Sequence, residues 1–377
     1  MNRTLWSGLL LVALSSTVMA AAPEATREYR LDNGMQVIVK TDRRSPVAIT
    51  QVWYGVGGSY EPAGLTGISH VLEHMMFKGT ASTEPGEFSR TVSALGGSEN
   101  AFTGRDYTGY YVSSASEHLD RILALEADRM RNLRLSPDEF AQELRVVQEE
   151  RRLRVDDKPR GLLREQFNAV AWRAAPYANP IIGWMSDLEG LELADLQRWY
   201  EQWYAPNNAT VVVVGDVDPD AVHAMAKRHF GGFPAVAIAA PEGSVEPPQH
   251  GVTRVVVQAP ARQPYLMMGY KTPNIGTAAE PWEPYALTVL AAILDGGQSA
   301  RLNRELVRGA AIAASAGASY DLYSRLPGLL QLSGVPTDGV SVAELEQGLR
   351  EQIARLRTEL VSAEELQRVV AQVVADE

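Results

Sequence analysis

The chain has 377 residues, of which 45% are hydrophobic and 21% charged, and these values are ordinary for a soluble globular protein of two or three domains. The formal net charge of −11 and the lack of any Lys/Arg-rich run argue against a nucleic-acid-binding function. The absence of cysteine excludes disulfides and thiolate ligands, so a zinc site would need His, Asp or Glu.

The first twenty residues predict a cleavable signal peptide for secretion. Arg3 gives a basic start, an apolar stretch is centred on residues 9–14, and small residues lead to Val18-x-Ala20. The alternative is an uncleaved membrane anchor, but the apolar stretch is short and no other long apolar run follows. We therefore expect cleavage near Ala20, no stable membrane insertion and a periplasmic location.

Short β-prone runs and amphipathic helices alternate along the following residues. Residues 27–42 predict a hairpin around Asp32-Asn33-Gly34, a strong turn signal. Ser136 and Pro137 are suited to the N-cap and first position of a helix that we expect to reach about Val155. Further strands are predicted over residues 45–54, 109–114 and 209–214, and further helices over residues 115–133, 162–175, 194–204 and 219–230.

A Pro-rich stretch without periodicity, residues 234–250, is the predicted linker between two domains, 21–233 and 251–377. Beyond the linker the order of elements repeats. Strands are predicted over residues 251–258 and 263–273, and an apolar helix without histidine follows. The sequence thus predicts an α+β protein with two related halves. The second half stops within a helical pattern, and we expect it to lack its last elements.

The run from Gly67 to Thr80 carries the strongest chemical signal, His70-x-x-Glu73-His74. On a helix these three side chains share one face. Two imidazoles four residues apart can chelate one Zn²⁺, and the carboxylate between them can take a proton from water that the metal activates. The alternative interpretation is an amphipathic helix with two partly exposed histidines and a solvated glutamate.

A catalytic zinc site needs a third protein ligand, and the helix after Ser136 offers three carboxylates. Glu143 and Glu150 lie two helical turns apart and share a face, whereas Glu149 points about 100° away. From the residues alone the choice among the three stays open, because most glutamates on such a helix are simply solvated.

The pattern resembles the inverted zincins, the pitrilysin/insulinase class of metallopeptidases, and is closest to bacterial and mitochondrial processing-peptidase-like members. The resemblance covers nearly the whole mature chain. It implies a clam-shell metallohydrolase fold of two homologous α/β-sandwich halves, each a mostly antiparallel sheet flanked by helices, with zinc in the first half only. The reversed zinc motif carries it, together with residues 95–111, 175–191, 204–218 and 294–306.

The resemblance also implies the roles of particular residues. The family's third zinc ligand follows the second histidine by about 75 residues, which corresponds to Glu150, and a supporting glutamate seven residues earlier corresponds to Glu143. His70, His74 and Glu150 would then bind Zn²⁺, and Glu73 would be the general base. An extended peptide would pair with a strand formed by Ser98, Glu99, Asn100, Ala101 and Phe102.

In relatives that work as single chains or homodimers, the second half supplies an Arg and, seven residues later, a Tyr to the substrate. Here those positions fall on Val307 and Ala314. Arg308 would need a shift of one residue, and Tyr320 or Tyr323 a larger one. Because Val and Ala cannot donate a hydrogen bond to a developing oxyanion, we expect a homologous partner subunit to supply both groups in a heterodimer. A homodimer is the alternative.

Together these features predict a zinc-dependent endopeptidase that hydrolyses peptides or unfolded polypeptide segments. The alternative from another class is a non-catalytic scaffold or core subunit of a homologous complex. Loss of a motif residue or of Glu150 would have favoured the scaffold, and all are present. The sequence leaves open whether the substrate is one dedicated client protein or peptides in general.

Overall fold

Two β-sheets with helices packed on them make up this protein, whose computed structural model describes residues 26–238 and 245–376. The predicted signal peptide, residues 1–20, lies outside the described residues. Within the described ranges, no helix is long and apolar enough to cross a lipid bilayer. The predicted domain limits remain a prediction, although each sheet is built from one side of the predicted linker.

The first sheet has the strand order β1-β2-β6-β3-β5-β4. Neighbours β2 and β6 run parallel, and all other neighbouring pairs are antiparallel, so the expected mostly antiparallel sheet is confirmed. The predicted hairpin is also confirmed, with Gly34 at its turn in the left-handed region (φ +90°) that favours glycine. The strands are β1 (Arg27–Arg30), β2 (Gln36–Thr41), β3 (Val47–Tyr54), β4 (Ser98–Thr103), β5 (Thr108–Ala115) and β6 (Ala209–Gly215).

The described part of the first half also contains eight α-helices. The predicted cap is present, since Ser136 Oγ accepts from the Glu139 N–H (3.3 Å), and Asp218 caps another helix by accepting from the Ala221 N–H at Oδ1 (2.9 Å). The helices are α1 (Ile68–Met75), α2 (Glu87–Ala94), α3 (Leu119–Arg131), α4 (Pro137–Arg151), α5 (Pro159–Ala171), α6 (Met185–Gly190), α7 (Leu193–Trp203) and α8 (Pro219–Phe230).

The core of the first half joins helix α1 to the centre of the sheet. Val211 on β6 lies opposite Val37 on β2 and Val52 on β3, and all three are fully buried. Val71 and Leu72 on α1 belong to the same apolar cluster. Their burial fixes which side of α1 faces away from the sheet, and that side carries the histidine motif.

The N-terminus of α1 is held by a buried carboxylate. Glu61 accepts hydrogen bonds from the backbone N–H groups of Gly67 (2.7 Å) and Ser69 (2.9 Å). Gly67 has φ +88°, and a Cβ there would lie 2.6 Å from the carbonyl oxygen of Ile182, so only glycine allows this approach. Glu61 thus satisfies donors that the first turn of a helix leaves unpaired.

The second sheet is smaller and fully antiparallel, with the order β7-β9-β8. The second half has the same order of elements as the part of the first half from β3 to α4. In both, one strand is followed by helical segments, then by two strands and then by two helices. This shared order agrees with the prediction of two related halves. The elements are β7 (Leu266–Thr272), α9 (Glu283–Asp295), β8 (Ala313–Ser319), β9 (Gly328–Pro336), α10 (Val342–Thr358) and α11 (Ala363–Asp376).

The predicted strand over residues 251–258 is wrong. This segment pairs with no strand among the described residues, and Val252 and Val256 are 76% and 79% exposed. A cavity of about 1360 Å³ lies between the segment, β7, α5 and α10. In the first half, β6 fills the space between β2 and β3, and no described strand of the second half takes that place. Without a ladder partner, a β-prone run does not become a strand.

A partly buried polar cluster joins the two halves. Asp106, in the β4–β5 turn, accepts hydrogen bonds from Ser59 Oγ (2.6 Å), Tyr177 Oη (2.5 Å) and the backbone N–H of Arg325 (2.9 Å). The Arg325 side chain donates to the Ser59 carbonyl (3.0 Å) and lies over the Tyr60 ring. The second half therefore contacts the first beside the end of β4.

We expect Glu61→Gln to change how stability depends on pH. Burial raises the pKa of Glu61 to about 7, from an ordinary value of 4.5. Between these values the folded state holds a proton that the unfolded state releases, so the contribution of Glu61 to stability falls as pH rises. Urea unfolding of metal-free protein should show the stability of the wild type relative to the variant decreasing from pH 5 to pH 8. A pH-independent difference would contradict this.

Candidate metal centre

Helices α1 and α4 bring the predicted site residues together. The face of α1 that points away from the sheet carries His70, Glu73 and His74, and α4 packs against it with Glu143 and Glu150. Helical spacing explains both sets, since residues three, four or seven apart share a face. His70 is buried, and the other four side chains are at most partly exposed.

The side chains of His70, His74 and Glu150 form a group that can hold a metal ion. Glu150 Oε2 lies 3.7 Å from His70 Nε2 and 3.4 Å from His74 Nε2, and one ligand atom from each residue lies within 4.8 Å of the others. Tetrahedral zinc with bonds of about 2.0–2.1 Å places its ligand atoms roughly 3.3 Å apart. The spacing and the donor set of two imidazoles and a carboxylate therefore fit zinc.

Glu143 contacts the ring nitrogen of His74 that faces away from Glu150. Its Oε2 lies 3.2 Å from His74 Nδ1, and its Oε1 pairs with Lys78 Nζ at 2.5 Å. A carboxylate at Nδ1 keeps the proton on that nitrogen and directs Nε2 towards Glu150. Glu143 thus restrains the ring and, when His74 is neutral, favours the tautomer with the proton on Nδ1, which leaves Nε2 open to a metal.

The two histidines have opposite pKa shifts. Burial lowers the pKa of His70, and the neighbouring His74 lowers it further, so His70 is neutral at neutral pH. Burial also opposes charge on His74, but hydrogen bonds to Glu143 and Glu150 outweigh it and raise the pKa to about 9. Metal binding therefore competes with a proton mainly at His74.

Glu150 and Glu149 differ sharply in environment. The Glu150 side chain is 17% exposed, and Arg154 Nη1 holds its Oε1 at 2.7 Å while Oε2 faces the histidines. Glu149 is 59% exposed and pairs with Arg152 on the outer surface. The structure therefore places Glu150, and not Glu149, beside the histidine motif.

The chain is anchored directly after Glu150. The buried side chain of Arg151 binds Glu165 Oε2 (2.7 Å) and the Gly183 carbonyl (2.8 Å), which ties the end of α4 to α5 and to the loop beside α1. A π-helical turn, Arg152–Asp156, follows. Single π-helical turns are frequent at functional sites, and this one contains Arg154, which pairs with Glu150.

Glu73 lies between the histidines and the edge of the sheet. Its Oε2 accepts a hydrogen bond from Thr103 Oγ1 at 2.5 Å. Burial raises the pKa of Glu73, and the hydrogen bond from Thr103 opposes that shift. A carboxylate with a raised pKa is better suited to accept a proton than a fully solvated one.

The predicted substrate residues, Ser98 to Phe102, form most of strand β4, which is an edge of the first sheet. An edge strand presents N–H and C=O groups without a neighbour on its outer side, as pairing with an extended peptide requires. Asn100 Oδ1 accepts from the Ala101 N–H, and Phe102 packs edge-on against Trp53 at 5.1 Å.

Several residues at the site escaped the sequence-based prediction. Lys78 and Arg154 each lie four positions beyond a predicted ligand, so the helical spacing could have indicated them. Thr103 and Glu61 reach the motif helix from separate segments, and only the tertiary structure reveals them.

Comparison with known proteins gives consistent results along the chain. The family model "Insulinase (Peptidase family M16)" matches residues 36–184, and "Peptidase M16 inactive domain" matches residues 190–373. The chain is 37% identical to the zinc protease PqqE of Helicobacter pylori over 307 residues, which cover 80% of this chain and 68% of that protein.

Two solved structures are similar. A protease from Helicobacter pylori matches with a TM-score of 0.88 and 31% identity, covering 93% of this chain and 84% of that one. The first half of the periplasmic protease PqqL from Escherichia coli matches with a TM-score of 0.77 and 20% identity, covering 93% of this chain and 76% of that one. This second likeness shows the fold alone.

Zinc content should distinguish the two adjacent glutamates. We expect Glu150→Ala to lower the zinc bound per chain at least tenfold at limiting zinc, because it removes a ligand, whereas Glu149→Ala should retain the wild-type content. The measurement is elemental analysis after dialysis against a weak chelator. Loss of zinc in Glu149→Ala with full retention in Glu150→Ala would show that the assignment is wrong by one residue.

Proposed function

The chain belongs to the insulinase family of peptidases, and from that membership and the metal centre we propose that it is a zinc-dependent endopeptidase acting on peptides or unfolded polypeptide segments. The convergence of His70, His74 and Glu150 within 4.8 Å, with Glu73 beside them, carries the proposal. Zinc held by these three ligands would polarise the scissile carbonyl and lower the pKa of water to about 7.

Glu73 is the residue proposed to move protons. It lies on the same helical face as the two histidines, and its carboxylate would accept the proton that the attacking water loses. The same carboxylate would then deliver that proton to the departing amine. Glu143 takes no proton in this scheme, since it serves to orient His74 through Nδ1.

Strand β4 is proposed to bind the substrate. A peptide added along its free edge would form backbone hydrogen bonds that do not depend on sequence, as expected for an enzyme that accepts unfolded segments. The end of β4 lies beside Glu73 through Thr103, so a peptide paired along Ser98–Phe102 would reach the metal centre.

The scaffold alternative suits the second half better than the first. Its family model carries the description "inactive domain", and the one group in the described residues that could hold a metal lies in the first half. Because the first half keeps the proposed zinc ligands and the general base, we propose a catalytic subunit whose second half has a structural role.

We also propose a periplasmic location and a homologous partner subunit. The signal-like N-terminus motivates the first, and N-terminal sequencing of protein from cells tests it, since an intact Met1 would count against it. The partner proposal is supported by the contacts of the candidate donors. Arg308 donates to the Gln298 carbonyl (2.6 Å) and Tyr320 donates to the Pro273 carbonyl (2.6 Å). Arg308 and Tyr320, two of the three candidate donors, are thus engaged within the second half.

We expect Glu73→Gln to lower peptide hydrolysis at least a hundredfold while zinc content stays at the wild-type level. The substitution removes the base but none of the proposed ligands, and a general base typically contributes about 10²–10⁴ in rate. Turnover of a quenched fluorescent peptide and elemental analysis of the same sample are the measurements. Near-wild-type turnover would exclude Glu73 as the base.

The partner proposal predicts that activity depends on a second, homologous chain. Adding a related subunit that lacks the zinc motif but carries the Arg and Tyr should raise peptide turnover at least tenfold, because the missing donors would then reach the oxyanion. Co-purification and turnover with and without that subunit are the measurements. Full activity from a homogeneous monomer or homodimer would show that no such partner is needed.

A further inference from the structure

We propose that Thr103 is a positioning residue for Glu73, and that through Thr103 the substrate strand β4 controls the orientation of the general base. This inference deepens the proposed function and rests on it. It starts from a hydrogen bond that neither the motif nor the ligand geometry requires, from Thr103 Oγ1 to Glu73 Oε2 at 2.5 Å.

Thr103 is well placed to hold a neighbouring side chain still. It is the last residue of β4 and lies opposite Thr108 on β5, whose own hydroxyl donates to the Val56 carbonyl at 2.9 Å. The next residue, Gly104, donates its N–H to the Tyr107 carbonyl at 2.7 Å and closes the turn. The Thr103 hydroxyl therefore projects from backbone that is paired on one side and closed by a tight turn.

Glu73 needs such support. A glutamate side chain has three rotatable bonds, and its carboxylate can occupy several positions unless hydrogen bonds select one. Across residues 26–238 and 245–376, Thr103 is the one hydrogen-bond donor to this carboxylate. It engages Oε2 and leaves Oε1 as the oxygen available to accept a proton.

The coupling to substrate follows from chain connectivity. Thr103 directly follows the residues of β4 that are proposed to pair with peptide, Ser98 to Phe102. A peptide that pairs along this edge adds a strand beside β4 and restrains it, and the restraint reaches Glu73 through one hydroxyl. Since a misplacement of about 1 Å in a reacting group can cost a factor of about 10², a loose Glu73 would slow turnover without weakening peptide binding.

A purely structural role makes a different prediction. If the hydroxyl only satisfied a buried carboxylate, its removal would lower thermal stability and leave the turnover number of the folded enzyme unchanged. The two roles are therefore separated by the effect on kcat at unchanged KM, and by whether a hydroxyl alone restores it.

The experiment uses the full chain with three substitutions. Thr103→Val keeps the shape and removes the hydroxyl, and Thr103→Ser keeps the hydroxyl. Thr50→Val is the matched control, because Thr50 is a buried threonine of the same sheet that makes no hydrogen bond to Glu73. We expect Thr103→Val to lower kcat at least tenfold with KM within twofold, Thr103→Ser to recover kcat to within threefold of wild type, and Thr50→Val to match wild type.

A readout independent of activity completes the test. In a crystal structure of the metal-free wild type, Glu73 should occupy one rotamer. In a crystal structure of metal-free Thr103→Val, Glu73 should occupy a different rotamer or several rotamers. If the wild type is active and Thr103→Val has the same kcat, the inference is overturned. It is also overturned if Glu73 occupies the same single rotamer in the crystal structures of the wild type and of Thr103→Val. A zinc-loaded wild type without peptidase activity would instead count against the proposed function.

Discussion

The hydrogen bond between His74 Nδ1 and Glu143 Oε2 is the constraint on which the rest of the site depends. It joins the motif helix α1 to α4 at 3.2 Å, and in the neutral imidazole that a metal ligand requires it favours the proton on Nδ1, on the side away from Glu150. Nε2 is thereby directed towards His70 and Glu150, and a metal can bind with little rearrangement. The hydrogen bond from His74 lowers the pKa of Glu143, and Lys78 at its second oxygen lowers that pKa further, so this carboxylate stays ionised.

Burying so many ionisable groups opposes folding, and the surrounding structure offsets it. Desolvation penalises charge at His70, at Glu73 and at Glu61, the carboxylate that holds the start of α1. The apolar side of α1 compensates by packing Val71 and Leu72 into the core of the sheet. Reactivity on one side of a short helix is thus made possible by ordinary hydrophobic packing on the other.

The two halves share an order of elements but have separate tasks. The first half contains the three side chains that can hold a metal and the edge strand β4. The second half contacts the first through a hydrogen bond from Arg325 to Asp106, beside the end of β4. Asp106 lies three residues beyond Thr103, so the second half supports the turn that ends strand β4. The second half, which supplies none of the proposed zinc ligands, can in this way still affect the site.

Local features could be predicted from the sequence, and features that depend on distant partners could not. The cap at Ser136 and the hairpin at Gly34 are set by neighbours in sequence, and the structure has both. Helical spacing alone left Glu143, Glu149 and Glu150 open, and the family resemblance was needed to prefer Glu150. The prediction of a strand over residues 251–258 was wrong. The Val-rich pattern reflects only a local preference for β-structure, whereas a strand also needs a neighbouring strand to pair with.

The most direct test of the central claim is the position of the metal itself. Diffraction data collected above and below the zinc absorption edge, from crystals of the zinc-loaded protein, would locate the ion by its anomalous signal. The account predicts one dominant peak about 2.0–2.2 Å from His70 Nε2, His74 Nε2 and a Glu150 oxygen. A fully occupied peak elsewhere, or a zinc bound to the two histidines and to Glu143 in place of Glu150, would contradict it.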